Sequence, residues 1–168
     1  MTFYDIILDI DMTLVHTPNN GDFVCKENLE LEHFVCMPNH ISFKRPHLDD
    51  FMMFLFRKNS PYRVSVWTAG EYNYAVSVLN HILPPNANLY AFLTRESVLF
   101  WEKATNLHKP VHAINIFDRP LIVDDREDVY TSQSANAYKI KPFQLWKSDA
   151  RFDTELIDLM KFLGGEKK

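Results

Sequence analysis

Two apolar runs in this chain each stop at a pair of carboxylates, and that pattern limits the possible folds more than any other feature. Tyr4-Asp5-Ile6-Ile7-Leu8 runs into Asp9-Ile10-Asp11, and Pro120-Leu121-Ile122-Val123 runs into Asp124-Asp125. Short, nearly continuous runs rich in β-branched residues suit strands buried on both faces of a parallel sheet. Ligands of such sheets sit outside the carboxyl ends of the strands. Residues two apart share a face of an extended chain, so Asp9 and Asp11 can serve one pocket while Thr13 turns the chain away. Taken singly, each acidic pair also has a plainer use. Asp-x-Asp supplies turn oxygens, and Asp124-Asp125 suits the cap of a following helix.

The rest of the chain alternates strand and helix signals. Pro18-Asn19-Asn20-Gly21 is a turn-rich break, and residues 18–44 read as a small β-insert with short antiparallel strands around Phe23-Val24, Leu29, Leu31, Phe34-Val35 and Ile41. Lys44-Arg45-Pro46 opens a helix whose Leu48, Phe51, Met52 and Leu55 follow i, i+3, i+4, i+7 spacing. Residues 63–68 form a second strand. Residues 71–82 repeat the helical spacing in Ala75, Val78, Leu79 and Ile82 until Pro84-Pro85 stops it. Residues 89–94 read as a third strand, whereas residues 97–120 resist assignment. A last strand over 138–140 precedes a helix from Asp153 that carries Leu156, Leu159, Met160 and Leu163 and ends at Gly164-Gly165. The alternation predicts an α/β fold: a doubly wound, mainly parallel, Rossmann-like sheet in a single domain over 1–168, with the insert after the first strand.

Composition narrows the function. Cys25 and Cys36 are the only cysteines, no secretory signal precedes the first strand, and no apolar run approaches a membrane span, which predicts a reducing intracellular compartment. A formal charge of −4 gives no footprint for general nucleic-acid binding, so an anionic substrate has to be held locally. Four stretches supply that site: Asp9 to Thr13, Thr68-Ala69-Gly70, Lys109 and Asp124-Asp125, each read as following a strand. An attacking aspartate meets a phosphate that is itself anionic, and two like unit charges at about 4 Å cost roughly 4 kcal/mol near a protein surface. A cation is therefore required. Oxygen-only ligands at two strand tips suit Mg²⁺, Lys109 adds positive charge, and the Thr68 hydroxyl can hold a phosphate oxygen. Asp11 stands where it can protonate the leaving oxygen and later activate water.

The ordered set resembles the haloacid dehalogenase superfamily, and within it the phosphatases of the RNA polymerase II C-terminal domain. The resemblance runs through Leu8-Asp9-Ile10-Asp11-Met12-Thr13-Leu14-Val15-His16, Lys44-Arg45-Pro46-His47, Trp67-Thr68-Ala69, Thr94-Arg95-Glu96-Ser97 and Asp153-Thr154-Glu155-Leu156. Residues 123–130 are more similar to the larger polymerase phosphatases. The resemblance implies Asp9 as nucleophile, Asp11 as acid and base, Thr68 as phosphate-binding hydroxyl and Lys109 as the family's lysine, with Lys103 the runner-up. It implies Mg²⁺ held by Asp9, the Asp11 carbonyl and Asp125, with Asp124 a ligand or its neighbour. Thr13, Ala69, Tyr74 and Arg95 fall on the substrate side, Tyr74 at the position of an aromatic that accepts proline and Arg95 near the phosphopeptide. Asn19 stands where the family has a further aromatic. No large cap is expected, so the site is open to a phosphorylated protein tail. The implied substrate is phosphoserine, with phosphothreonine second, in the C-terminal domain of the largest RNA polymerase II subunit; the implied setting is a nuclear, otherwise cytoplasmic, monomer. A polynucleotide end-phosphatase and a phosphopeptide-binding module are the alternatives. Cys25, His33, Cys36 and His40 could ligate zinc, but their spacing fits no common finger. The tryptophans suggest nucleic-acid stacking only beside a basic groove.

Overall fold

Burial of an unbroken apolar strand on both faces requires helices on both sides of a sheet, and the computed structural model, which describes residues 3–165, has that architecture. In chain order the elements are β1 (Asp5–Leu8), β2 (Val15–His16), β3 (His33–Cys36), β4 (His40–Lys44), α1 (Leu48–Leu55), β5 (Arg63–Trp67), α2 (Tyr72–Ile82), β6 (Phe92–Leu93), α3 (Arg95–Thr105), β7 (Pro120–Asp124), α4 (Glu127–Ser132), β8 (Ala137–Lys139) and α5 (Glu155–Gly164). Residues 1–2 and 166–168 of the expected domain lie outside the described residues. Strand β1 is central in a five-stranded parallel sheet of order β6-β5-β1-β7-β8. Leu8 pairs with Val66 on one side and Val123 on the other, which brings the ends of three strands level.

Side chains of β1 alternate between two cores. Ile6 and Leu8 join a cluster with Leu48, Phe51, Met52 and Leu55 of α1, Ala75, Val78, Leu79 and Ile82 of α2, and Leu156 and Leu159 of α5. Ile7 faces the opposite side with Trp67, Val98 of α3 and Val129 of α4. The four apolar positions predicted for α1 and the four for α2 are all buried. Each such side chain contributes roughly 1.5–3 kcal/mol by leaving water. Gly165 adopts φ 73° and its N–H bonds the Lys161 and Phe162 carbonyls, closing α5.

Several expectations need correction. The insert forms a three-stranded antiparallel sheet of order β2-β4-β3, so its first strand, Val15–His16, precedes the expected start at residue 18. Phe23-Val24, Leu29 and Leu31 lie outside strands, and Lys26–Asn28 is a single 3₁₀ turn. The third strand of the large sheet shrinks to Phe92–Leu93. The unassigned stretch holds most of α3, which begins two residues before it at Arg95. Lys109 does not follow a strand; it lies in the loop between α3 and the 3₁₀ turn Val111–Ala113. Among the described residues no helix is long and apolar enough to cross a membrane.

Candidate active site

The chain leaves β1 through a turn that contains no glycine. Asp9 N–H donates to the Val123 carbonyl at 3.1 Å, which extends the ladder by one residue. Met12 then adopts φ 61°, a left-handed conformation that costs a non-glycine residue about 1–2 kcal/mol. Its surroundings over-determine it. Met12 N–H donates to the Val15 carbonyl at 2.7 Å, and its own carbonyl accepts from Phe143 N–H at 2.7 Å and from Arg45 Nη1 at 3.3 Å. Arg45, 1% exposed, also donates from Nη1 to the Thr13 carbonyl, from Nη2 to the Lys141 carbonyl, and from Nε and Nη2 to the two Asp153 oxygens, each at 2.8 Å. A planar guanidinium with five donors is the side chain suited to such a clamp.

Below that turn the acids converge. Lys109 Nζ, 1% exposed, donates to Asp9 Oδ1 at 2.9 Å and to Asp124 Oδ2 at 2.7 Å. Gln133 holds the lysine loop by donating to the Lys109 carbonyl at 2.7 Å and accepting from Val111 N–H at 3.1 Å. The Thr13 hydroxyl donates to Asp9 Oδ2 at 2.9 Å and lies 3.4 Å from Asp125 Oδ1. Burial pushes the Asp9 carboxyl up to about 6 against the pull of Lys109, and Asp125 and Asp11 add to the rise. Burial and then Asp9 push Asp124 up to about 6, with Lys109 opposing. Burial, then Asp124, also raises Asp125. Burial works against the Lys109 ammonium, but Asp9 and Asp124 outweigh it and hold the group above its ordinary value. One oxygen from each of Asp9, Asp124 and Asp125 lies within 4.8 Å of the others. Three carboxylates around one ammonium leave surplus negative charge on oxygen-only donors, which fits a hard divalent cation such as Mg²⁺.

Above the acids, Asp11 and Met12 help to line an open groove of about 720 Å³ that also takes in Tyr74, Arg95 and Trp146. Burial raises the Asp11 carboxyl, while a 2.6 Å hydrogen bond from Tyr74 Oη to Asp11 Oδ1 pulls it the other way. Thr68 is fully buried, and its Oγ1 accepts from Gly70 N–H at 3.0 Å. A Cβ on Gly70 would meet the Tyr74 ring at 3.1 Å and Thr68 Oγ1 at 3.2 Å, so this close approach favours glycine. Arg95 is exposed, donating from Nε to the Ala69 carbonyl and from Nη1 to Glu71, each at 3.0 Å.

Asp9, Thr13, Lys109 and Asp124 thus form one buried group with the half-buried Asp125 at its side, while Asp11, Tyr74 and Arg95 line the groove above it. Lys103, the alternative lysine, is exposed on α3. Three of the four candidate zinc ligands have other partners: Cys25 Sγ bonds the Trp146 carbonyl, Cys36 Sγ contacts Ser42 Oγ, and His33 Nδ1 contacts the Leu31 carbonyl, while His40 lines the groove. Three contributors had no site role in the sequence reading. Arg45 stood only in a motif of the resemblance, although an arginine beside the proline that opens an apolar helix is a usable signal. Trp146 and Gln133 reach the site through contacts distant in sequence, with no local signal.

A parallel sheet with paired acids at its carboxyl edge, a buried lysine between them and, among the described residues, no large cap defines a phosphatase of the haloacid dehalogenase superfamily, related to the CTD phosphatases. The chain matches the sequence model of the NLI interacting factor-like phosphatases over residues 4–167, and it belongs to that family. It is 27% identical over 183 residues to CTD phosphatase-like protein 355R of Invertebrate iridescent virus 6, covering 95% of this chain and 96% of the relative. It is 30% identical over 129 residues to the uncharacterized protein 037R of Frog virus 3 (isolate Goorha), covering 74% and 60%. The fold is similar to that of Fcp1, an essential RNA polymerase II CTD phosphatase, with a TM-score of 0.58 at 17% identity over 95% of this chain. The fission yeast Fcp1 variant bound to beryllium fluoride gives 0.61 at 17% over 97%. The chain spans 49% and 50% of those two structures. Family and fold together indicate phosphatase activity of the CTD phosphatase-like kind.

Proposed function

We propose that this chain, as a single domain over 1–168 with its insert, is a Mg²⁺-dependent phosphatase of phosphoserine, and secondarily phosphothreonine, in an extended peptide. The observation that carries the reading is Asp9: a nearly buried carboxylate held by Lys109 and Thr13, two residues before an Asp11 that lines an open groove. An Asp9 oxygen attacks phosphorus, the P–O ester bond breaks, and the leaving serine oxygen takes its electron pair and a proton from Asp11. Water then attacks the aspartyl-phosphate, Asp11 receives its proton, and the Asp9 carboxylate is restored with release of phosphate. Lys109 stabilises the phosphoryl charge, and Thr68 with the Ala69 and Gly70 backbone forms the phosphate-binding side. Asp9, Asp125 and the Asp11 carbonyl, with Asp124 beside them, would hold the cation, which offsets carboxylate and phosphate charge when bound.

The open groove, with Arg95 and Tyr74 on its wall, supports a peptide over a small metabolite. The viral relative's name and the Fcp1 likeness support the RNA polymerase II C-terminal domain as the tail, and with it a nuclear setting. Phosphate release from a phosphoserine peptide is expected to require Mg²⁺, to leave a phosphoryl adduct on Asp9 in acid-quenched digests, and to vanish in Asp9→Asn by about 10⁴-fold or more. Undiminished release by the variant defeats the mechanism. Equal kinetics on polymerase-tail and unrelated phosphopeptides would remove the polymerase assignment and leave the phosphatase standing.

A further inference from the structure

We infer that the Tyr74 hydroxyl positions Asp11 for proton transfer, fixing which of its two oxygens carries the proton, and that the insert sheet sets the direction of that bond. The inference rests on the phosphatase reading above.

Proton counting along one chain of contacts supplies the argument. Tyr74 Oη donates its single proton to Asp11 Oδ1 at 2.6 Å. In the 2.7 Å contact between Thr17 Oγ1 and Tyr74 Oη, Thr17 must therefore be the donor. The Thr17 proton being committed, the 2.5 Å contact with Ser42 requires Ser42 Oγ–H to donate. By the same count the Cys36 thiol, 2% exposed, donates to Ser42 Oγ at 3.1 Å. Four hydrogen bonds thus point one way, from β3 through β4 and the end of β2 to Asp11. Hydrogen bonds aligned in this sense polarise one another, which strengthens the last. A phenol ordinarily keeps its proton to about pH 10, so the Tyr74 hydroxyl is a donor at neutral pH.

With Oδ1 occupied by this donor, the proton that Asp11 transfers belongs on Oδ2. In the first step the serine oxygen leaves with the P–O electron pair and takes the Oδ2 proton, while the new P–O bond forms at Asp9. In the second step water bonds to phosphorus, its proton returns to Oδ2, and the Asp9–phosphorus bond breaks. Tyr74 touches no reacting atom in this account and is a positioning residue. Its ring is seated independently of the hydroxyl, packed against the first core and close to Gly70, so Tyr74→Phe removes the hydroxyl and keeps the packing.

The test compares two leaving groups, because kcat/KM reports the steps through the first phosphoryl transfer. Nitrophenolate departs without a proton, whereas a serine alkoxide needs one. Tyr74→Phe is expected to lose about 30-fold in kcat/KM on a phosphoserine peptide and less than about 3-fold on p-nitrophenyl phosphate, with inhibition by a non-hydrolysable phosphonate analogue of the peptide unchanged, which separates proton delivery from a lost binding contact on the groove wall. Thr17→Val, which removes only the donor behind Tyr74, is expected to show the same bias at about 3–5-fold; Thr17→Ser should restore wild-type values. If Tyr74→Phe does not fold, the Thr17 pair carries the same comparison. Equal losses on both esters, or no loss on either, overturn the positioning role while leaving the phosphatase intact. A wild type inactive on both esters is a failure of the phosphatase reading, and the role assigned to Tyr74 falls with it.

Discussion

Strand β1 has an aspartate at each end, in opposite circumstances. At its amino end Asp5 is fully buried and fully matched: Arg63 donates to it from Nε at 2.9 Å and from Nη2 at 2.6 Å, and Asp118 N–H donates at 2.5 Å. The guanidinium itself lies 3.8 Å from the centre of the Tyr90 ring and 4.6 Å from that of Tyr4. At the carboxyl end Asp9 shares a single lysine with Asp124, while Asp125 and Asp11 add to the charge. The same residue type, at the first position of β1 and just past its last, is closed in one place and left short of positive charge in the other. The closed end contributes to folding; the unbalanced end keeps its ability to bind, which is the usual signature of a functional site.

The sharpest way to break this comparison is to remove the one cation the acids share. At pH 8 with a chelator present, Lys109→Met is expected to lose about 3–5 kcal/mol of unfolding free energy, because it leaves buried carboxylates with hydrogen bonds but no cationic partner. Added Mg²⁺ should restore part of that stability by mass action but not turnover, which falls about 100- to 1000-fold. Denaturant melts with and without Mg²⁺ decide it. A variant as stable as wild type in chelator would show that the acids carry no real surplus.

The converse substitution at the other end sharpens the same contrast. Asp5→Asn is expected to cost about 2–3 kcal/mol, since it strips the charge from hydrogen bonds made by Arg63 and Asp118. The rate per folded molecule should not change, because Asp5 faces the edge of the sheet remote from the groove. Active-site titration beside a urea melt separates the two quantities. A fall in kcat to match the fall in stability would mean that β1 transmits strain between its ends.

The strand, its flanking helices and the acids at its carboxyl end were the easier parts to read, whereas the match of Asp5 with Arg63 was not foreseen. Tyr4 to Leu8, the α1 and α2 stripes and the paired acids were legible because each is a local pattern with a fixed period. Lys109 was placed only by its distance before the last acids, and its setting after a helix was not foreseen. The reason lies in α3, where Val98 is the buried residue while Leu99 and Phe100 stand 57% and 62% exposed, so the apolar positions do not fall on one face. The insert misled at its start: Phe23, 69% exposed, lies outside any strand, whereas Val35 and Ile41, 64% and 46% exposed, face outward from strands where strands were expected. Arg45 and Trp146 belong to the site through partners about a hundred residues away, such as Asp153 for Arg45 and Cys25 for Trp146, and no window of sequence holds that information.

The smallest effect asks whether the imbalance at the carboxyl end extends to the groove wall. His16 is 4% exposed, lies edge-on to Trp146 at 5.3 Å, and its Nδ1 accepts from Leu145 N–H at 3.0 Å. That bond requires a neutral ring at Nδ1. Burial lowers the imidazole pKa below its ordinary 6.5, with Asp22 pulling the other way; Asp11 and His40 line the same groove. A group whose folded-state value is depressed binds fewer protons in the fold than in the unfolded chain, so its contribution is complete above 6.5 and is lost as pH falls through the folded value. His16→Asn, which keeps an acceptor for Leu145, is expected to flatten the decline in stability below that pH by less than about 1 kcal/mol. Melts across the acid range in wild type and variant measure it. An unchanged slope would place the titrating group elsewhere and confine the imbalance to the carboxylates around Lys109.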